Sequence, residues 1–220
     1  MESVKPILEF KKTCVSYTKQ TMAVKYVSAA IERNTITAIM GPSGCGKSTI
    51  IKQIIDDERL KLGFSISATS RKPRQGEEHG VHYYFISDEE FVRLINEDKF
   101  VEWEEVYAGT HYGTLVSEVD RVTGEGRNLI LDIDVKGGVN VKERFGEEAL
   151  SLFIMPPSVE ELGNRLRGRA TDSEETILKR LAKAEFEIGF APQYDRVIVN
   201  DDLDTAVEEV RAAILSFVTR

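Results

Sequence analysis

Residues 41–49 read GPSGCGKST, after a short apolar, β-branched run at 35–40 and before apolar residues at helical spacing, Ile50, Ile51, Ile54 and Ile55. A buried strand that stops at a glycine-rich turn and re-emerges as a helix constrains the fold more than anything else in the chain. The glycines let the backbone curl until its N–H groups converge at the positive end of the helix, where phosphate oxygens are favoured. The string fits G-x-x-x-x-G-K-[ST] in full, with the strand and helix that the pattern requires on either side. Gly41, Pro42, Ser43, Gly44, Cys45, Gly46, Lys47, Ser48 and Thr49 therefore form a candidate ATP-phosphate site. Lys47 is suited to neutralising β- and γ-phosphate charge, and the Ser48 hydroxyl to ligating Mg²⁺. The alternative is a glycine-rich turn that matches by accident, and the flanking pattern disfavours it.

The rest of the chain supplies a matching frame. Apolar alternation predicts strands at 7–17 and 23–31. Helices are predicted at 48–62, 88–96, 159–167, 173–188 and 203–218, and further strands at 63–67, 128–133, 150–155 and 196–199. Ser87 and Ser158 are candidate N-caps, Ser87 with Glu90 as a capping box. Strands alternating with helices imply an α/β protein with a parallel sheet covered on both faces. At 220 residues the chain suffices for one such domain with small appended lobes.

Composition excludes several classes. A net charge of −8 argues against wrapping nucleic acid, which needs a basic surface. No apolar run approaches the roughly 18 residues of a membrane span, and the N-terminus lacks a signal-peptide pattern, so a cytoplasmic location is expected. Cys14 and Cys45 are too few for a disulfide framework. Two basic knots, Arg71–Lys72–Arg74 and Arg165–Arg167–Arg169, read either as anion sites or as solvated faces. The apolar strand at 129–131 runs into Asp132, where a carboxylate can hold Mg²⁺ beside the phosphate loop or simply cap a turn.

Longer strings carry a family resemblance: GPSGCGKST at Gly41, FSISATSRKPRQGE at Phe64, GVHYYF at Gly80, FVEWEEVYAGTHYGT at Phe100, ILDIDVKG at Ile130, MPPS at Met155, RLRGR at Arg165 and VNDDLD at Val199. From about residue 36 to the C-terminus the chain resembles guanylate kinase, which transfers the γ-phosphoryl of MgATP to GMP. The resemblance implies a P-loop NTPase three-layer parallel sheet, with an NMP-binding lobe at 67–115 and a lid at 160–188. It implies that Ser67, Glu102, Thr114 and Asp134 read or support guanine, and that Arg71, Arg74, Tyr83 and Tyr112 hold the acceptor phosphate. It further implies that Arg165, Arg169 and Arg180 close on the transferring phosphate, that Asn200 lies beside adenine, and that Mg²⁺ accompanies ATP. ATP and GMP are then the partners, with neither nucleic acid nor membrane, in a monomer or homodimer.

The chemistry agrees. Glu102 can accept from guanine N1–H and the 2-amino group together, donors that adenine lacks. Arg71 and Arg74 are forked donors for a phosphate, and phosphoryl transfer needs alignment and cations rather than a nucleophilic side chain. Tyr84 and Trp103 are expected to be core aromatics. His79, His82 and His111 lack a ligand pattern.

Residues 1–35 fit less well. The stretch at 6–49 resembles the front of an ABC transporter ATPase of the phosphate-importer kind, in which an aromatic residue stacks on adenine; Tyr17 holds the matching place. Beyond the loop that resemblance stops, with no L-S-G-G-Q string and D-I-D where a D-E pair would stand. The expectation is a small β-rich extension before the kinase-like part, from a natural fusion or an engineered chimera. Tyr17 near the ATP base and a hairpin that merely covers a sheet edge are both open. Competing functions are a nucleotide-binding chimera with weak kinase activity, an acceptor-independent ATPase and a protein-binding scaffold, the last disfavoured by the intact Lys47, Ser48 and lid arginines.

Overall fold

The computed structural model describes residues 8–18, 21–31, 35–107, 109–168 and 173–220, with the backbone alone for 8–31 and 106–107. At the centre lies β3 (Ile36–Met40), buried at every position. Its alternation sends Ile36, Ala38 and Met40 to one face and Ile39 to the other, and each face feeds a separate apolar core. The strand is flanked by β9 (Asn128–Asp132) and β10 (Ala149–Met155); β4 (Leu62–Phe64) and β11 (Arg196–Val199) form the edges. All five strands are parallel, in the order β11-β10-β3-β9-β4.

Helices cover both faces, as parallel strands require. On one side α1 (Lys47–Ile54) packs against α7 (Leu203–Val218) over Ile39, Ile130, Leu152 and Ile154. On the other, α3 (Val116–Gly124) and α4 (Val135–Phe145) bury Val122, Val135 and Val141 with Met40 and Leu131. The three-layer α/β arrangement is the one expected.

Helix α1 is shorter than the 48–62 pattern suggests. Asp57 accepts from the Arg59 N–H at 3.1 Å, and the Leu60 N–H bonds back to the Asp57 carbonyl at 3.0 Å. These local bonds end the helix, as aspartate side chains tend to do, and Leu60 turns into the core. Boundaries elsewhere are close to expectation: α2 (Asp88–Asn96), α5 (Val159–Gly168), α6 (Glu174–Ile188) and α7. Ser87 and Ser158 accept the expected N-cap bonds, and Ser173, placed inside the helix by the sequence pattern, caps α6 in the same way. The reciprocal arm of the Ser87 box is not made, because Arg93 holds the Glu90 carboxylate in two bonds of 2.9 and 2.6 Å.

The residue pattern assigns no element to 97–127 or 134–149. There the structure has β7 (Phe100–Tyr107), β8 (Thr110–Leu115), α3 and α4. With β5 (Ala68–Thr69) and β6 (Tyr84–Phe85), the first two make a four-stranded sheet in the order β6-β5-β8-β7. Helix α2 packs on this lobe through Phe91, stacked on Phe100 at 4.4 Å between ring centroids. In the N-terminal part, β1 (Leu8–Thr18) pairs antiparallel with β2 (Thr21–Ile31) as a separate two-stranded sheet.

Candidate active site

The phosphate loop emerges from the carboxyl end of β3, beside Asp132 at the end of β9, where open parallel sheets place their ligands. Gly46, the N-cap of α1, has φ +106°, and a Cβ there would collide with the Asn200 amide nitrogen. Only glycine satisfies both the backbone and the contact. Asn200 is buried and donates to the Cys45 carbonyl at 2.7 Å, so it braces the loop from behind. Cys45 is fully buried and burial pushes its thiol pKa up, which makes it a packing residue rather than a reactive one.

Lys47 donates to the Gly41 carbonyl at 2.6 Å and lies 3.9 Å from Asp132. The Ser48 hydroxyl bonds Asp132 at 3.2 Å. These are hard oxygen donors of the type Mg²⁺ takes. Among the described residues no cluster of three or more His, Cys, Asp or Glu forms an all-protein cage. Mg²⁺ does not need one when substrate phosphates supply the remaining ligands, so the residues fit the ion.

The loop opens into a cavity of about 470 Å³ whose opposite wall is the four-stranded lobe. Ser67, Tyr83, Glu102 and Tyr112 line it together with Lys47, Asp132 and Asp134. Glu102 is 7% exposed and accepts from the Thr114 hydroxyl at 2.6 Å. Burial raises its pKa to about 7, against the opposing hydrogen bond from Thr114 and with a smaller push from the charge of Asp134. Asp134 caps α4 by accepting from the Gly137 N–H at 2.9 Å. A Cβ on Gly137 would stand 2.7 Å from the Glu102 carboxylate, so that helix start is glycine by contact.

At the other end of the lobe wall, Arg71 donates to Tyr112 Oη at 3.0 Å and its carbon Cζ lies 5.0 Å from the Tyr83 ring centroid. Two bonds of 2.6 and 2.7 Å tie it to Glu77, whose pKa is lowered to about 2 chiefly by that contact. Arg74 is exposed beside it, its N–H donating to the same carboxylate at 2.7 Å.

The arginines of the expected lid separate. Arg180 reaches the loop, 3.3 Å from the Ser43 hydroxyl. Arg165 is held by Glu161 at 3.0 Å and by the Asn200 carbonyl at 2.9 Å, beside a second cavity of about 260 Å³ behind the loop. Arg169 lies outside the described residues, and of Tyr17 only the backbone in β1 is described.

Trp103 corrects its expectation: it is 42% exposed, because β7 alternates and turns it away from the face that carries Glu102. Tyr84 does pack in the lobe core, with its hydroxyl on Glu118 at 2.9 Å. Several residues have no role in the sequence reading, Lys183 on the cavity wall among them. Glu118 is 2% exposed and accepts from the Ile66 N–H at 2.7 Å, fixing the chain just ahead of Ser67. Glu104 and Glu187 line the cavity. The available signals were period two from Glu102 on a strand and seven residues from Arg180 on a helix face.

Fold and cavity define the chain as a P-loop NTPase-type α/β protein, its phosphate loop faced by a polar lobe across one opening. The family model for guanylate kinase matches residues 33–216, so the chain belongs to the guanylate kinase family. The guanylate kinase of Porphyromonas gingivalis is 53% identical over 182 residues, covering 83% of this chain and 97% of the relative. That of Bacteroides thetaiotaomicron is 52% identical over 179 residues, covering 81% and 87%. The crystal structure of guanylate kinase from Anaplasma phagocytophilum superposes with a TM-score of 0.66 at 30% identity, covering 86% and 88%. Residues 1–32 fall outside the family match. Among the described residues no helix is long and apolar enough to cross a membrane.

Proposed function

We propose that this chain transfers the γ-phosphoryl group of MgATP to GMP, giving ADP and GDP. The observation that carries the reading is the single cavity lined on one side by the phosphate loop and on the other by Glu102, Tyr83 and Tyr112. Donor and acceptor phosphates would meet there without a covalent enzyme intermediate. Loop N–H groups receive the ATP phosphates, and Lys47 exchanges its bond to the Gly41 carbonyl for their oxygens. Ser48 and Asp132 would hold Mg²⁺, which supplies positive charge to the β- and γ-phosphates.

Glu102, Ser67, Thr114 and Asp134 read the guanine, while Arg71, Arg74, Tyr83 and Tyr112 hold its phosphate. An acceptor phosphate oxygen attacks the γ-phosphorus as the bond to the β–γ bridging oxygen breaks. Lys47, Arg180, Arg165 and Arg169 carry the charge that spreads to the phosphoryl oxygens. The second cavity, bounded by Asn200 and Arg165, offers room for the adenine end of ATP.

In this reading residues 67–115 are the NMP-binding lobe and 160–188 the lid, which excludes water on closure. Residues 1–35 form a β extension, like the front of an ABC ATPase at 6–49, with Tyr17 beside the ATP base. Unchanged ATP affinity in Tyr17→Ala would remove that last role. The whole reading is tested by following ADP release from MgATP with GMP, AMP, UMP or no acceptor. GMP-dependent ADP supports the kinase, and acceptor-independent ADP would overturn it in favour of an ATPase.

A further inference from the structure

We infer that Glu104 reads the ribose of the acceptor nucleotide, its carboxylate accepting from the 2′-hydroxyl of GMP. The inference rests on the GMP reading above. Glu102 and Glu104 lie two residues apart on β7, so both point to the same face of the lobe sheet, and both line the cavity. Across the ladder Glu102 faces Thr114, and Glu104 faces Tyr112. The first rung is the base end, since Thr114 donates to Glu102. The second rung leads to the phosphate end, since Tyr112 Oη receives Arg71. A nucleoside monophosphate laid along these rungs carries its sugar past Glu104.

The Glu104 carboxylate is only half satisfied. One oxygen, Oε1, lies 3.4 Å from the exposed Lys136 ammonium. The other, Oε2, is buried with no hydrogen-bond partner among the described residues. Buried acceptors are rarely left unpaired, and a carboxylate has no proton of its own to offer when ionised. The missing partner must be a donor. Ionised phosphate has none, and the N1–H and 2-amino edge of guanine is met by Glu102. The ribose hydroxyls are the donors that remain. Of the two, the 2′-hydroxyl sits on the N3 side of an anti guanosine, next to the edge that Glu102 reads. A plain ion pair with Lys136 would explain Oε1 and leave Oε2 unexplained.

The test is steady-state kinetics on the full chain with MgATP and either GMP or dGMP, for the wild type, Glu104→Ala and Glu104→Gln. A charge-assisted hydrogen bond predicts a wild-type kcat/KM for GMP roughly 10-fold above that for dGMP. Glu104→Ala should bring the two together by raising the KM for GMP, with dGMP turnover and the GMP-to-AMP ratio unmoved. Glu104→Gln keeps an acceptor oxygen and should retain part of the preference. Equal wild-type use of GMP and dGMP, or an equal loss of both in Glu104→Ala, overturns the inference while the kinase reading stands. Absence of GMP-dependent ADP from the wild type would sink the kinase reading and this inference together.

Discussion

In the GMP reading proposed above, Glu102 ties guanine recognition to pH. Its carboxyl is buried and its pKa raised to about 7, burial being the main cause. Accepting from guanine N1–H and the 2-amino group requires the ionised form, so protons compete with GMP for the free enzyme. The apparent KM then scales as the reciprocal of the ionised fraction, a factor of about 1.1 at pH 8 and about 11 at pH 6. A roughly tenfold rise in KM for GMP is expected over that interval, with the KM for ATP followed in parallel as the reference.

Stability moves in the opposite sense. The folded-state pKa lies above the ordinary glutamate value of 4.5, so the folded protein binds the extra proton between those two values. The contribution is fully present below pH 4.5 and is lost as pH rises through 7. A shift of this size is on the order of 3 kcal/mol. Glu102→Gln removes that titration. The variant should lose pH dependence in its raised KM for GMP, and its Tm should exceed that of the wild type by several degrees at pH 8, with a smaller gap at pH 5.5. A wild-type KM for GMP that stays flat from pH 8 to pH 6 would refute the reasoning, because an ordinary exposed glutamate is fully ionised throughout.

Gly137→Ala forces a methyl group to within 2.7 Å of the Glu102 carboxylate; kinetics should show a KM for GMP at least several-fold higher and a reduced preference over AMP. Asn200→Ala leaves the Cys45 carbonyl without its buried donor, so chemical denaturation should register a loss of about 1–3 kcal/mol and the KM for ATP should rise. Lys47→Ala removes the only loop cation; kcat should fall by about 100-fold or more, with folding unchanged by circular dichroism. Ser48→Ala deletes the hydroxyl beside Asp132, and a Mg²⁺ titration of the initial rate should shift its midpoint to higher concentration.

The parallel core is legible because its signals are local. β-Branched runs buried on both faces, serine N-caps and the stop at Gly41 each act within a few residues, and they locate β3, β9, β10, α2, α6 and α7 closely. The lobe is less legible. β5 and β6 are two residues each, too short for periodicity, and the first turn of α4 is Val135-Lys136-Gly137-Gly138, where glycine propensity argues against a helix. Packing overrides that propensity: Gly138 lets Met40 approach and Gly137 makes room for Glu102.

The phosphate loop was determined by the sequence alone, since an anion nest is made from consecutive backbone N–H groups and their glycines. So was the list of residues in the motif strings. Which of them converge was decided by the tertiary structure, and the reason is distance along the chain. Glu102, Thr114 and Gly137 share one buried carboxylate, Asn200 braces a carbonyl 155 residues away, and Glu104 lines the same cavity with one carboxylate oxygen unpaired. Burial belongs to the folded chain, and it is what raises the Glu102 carboxyl to titrate near neutrality.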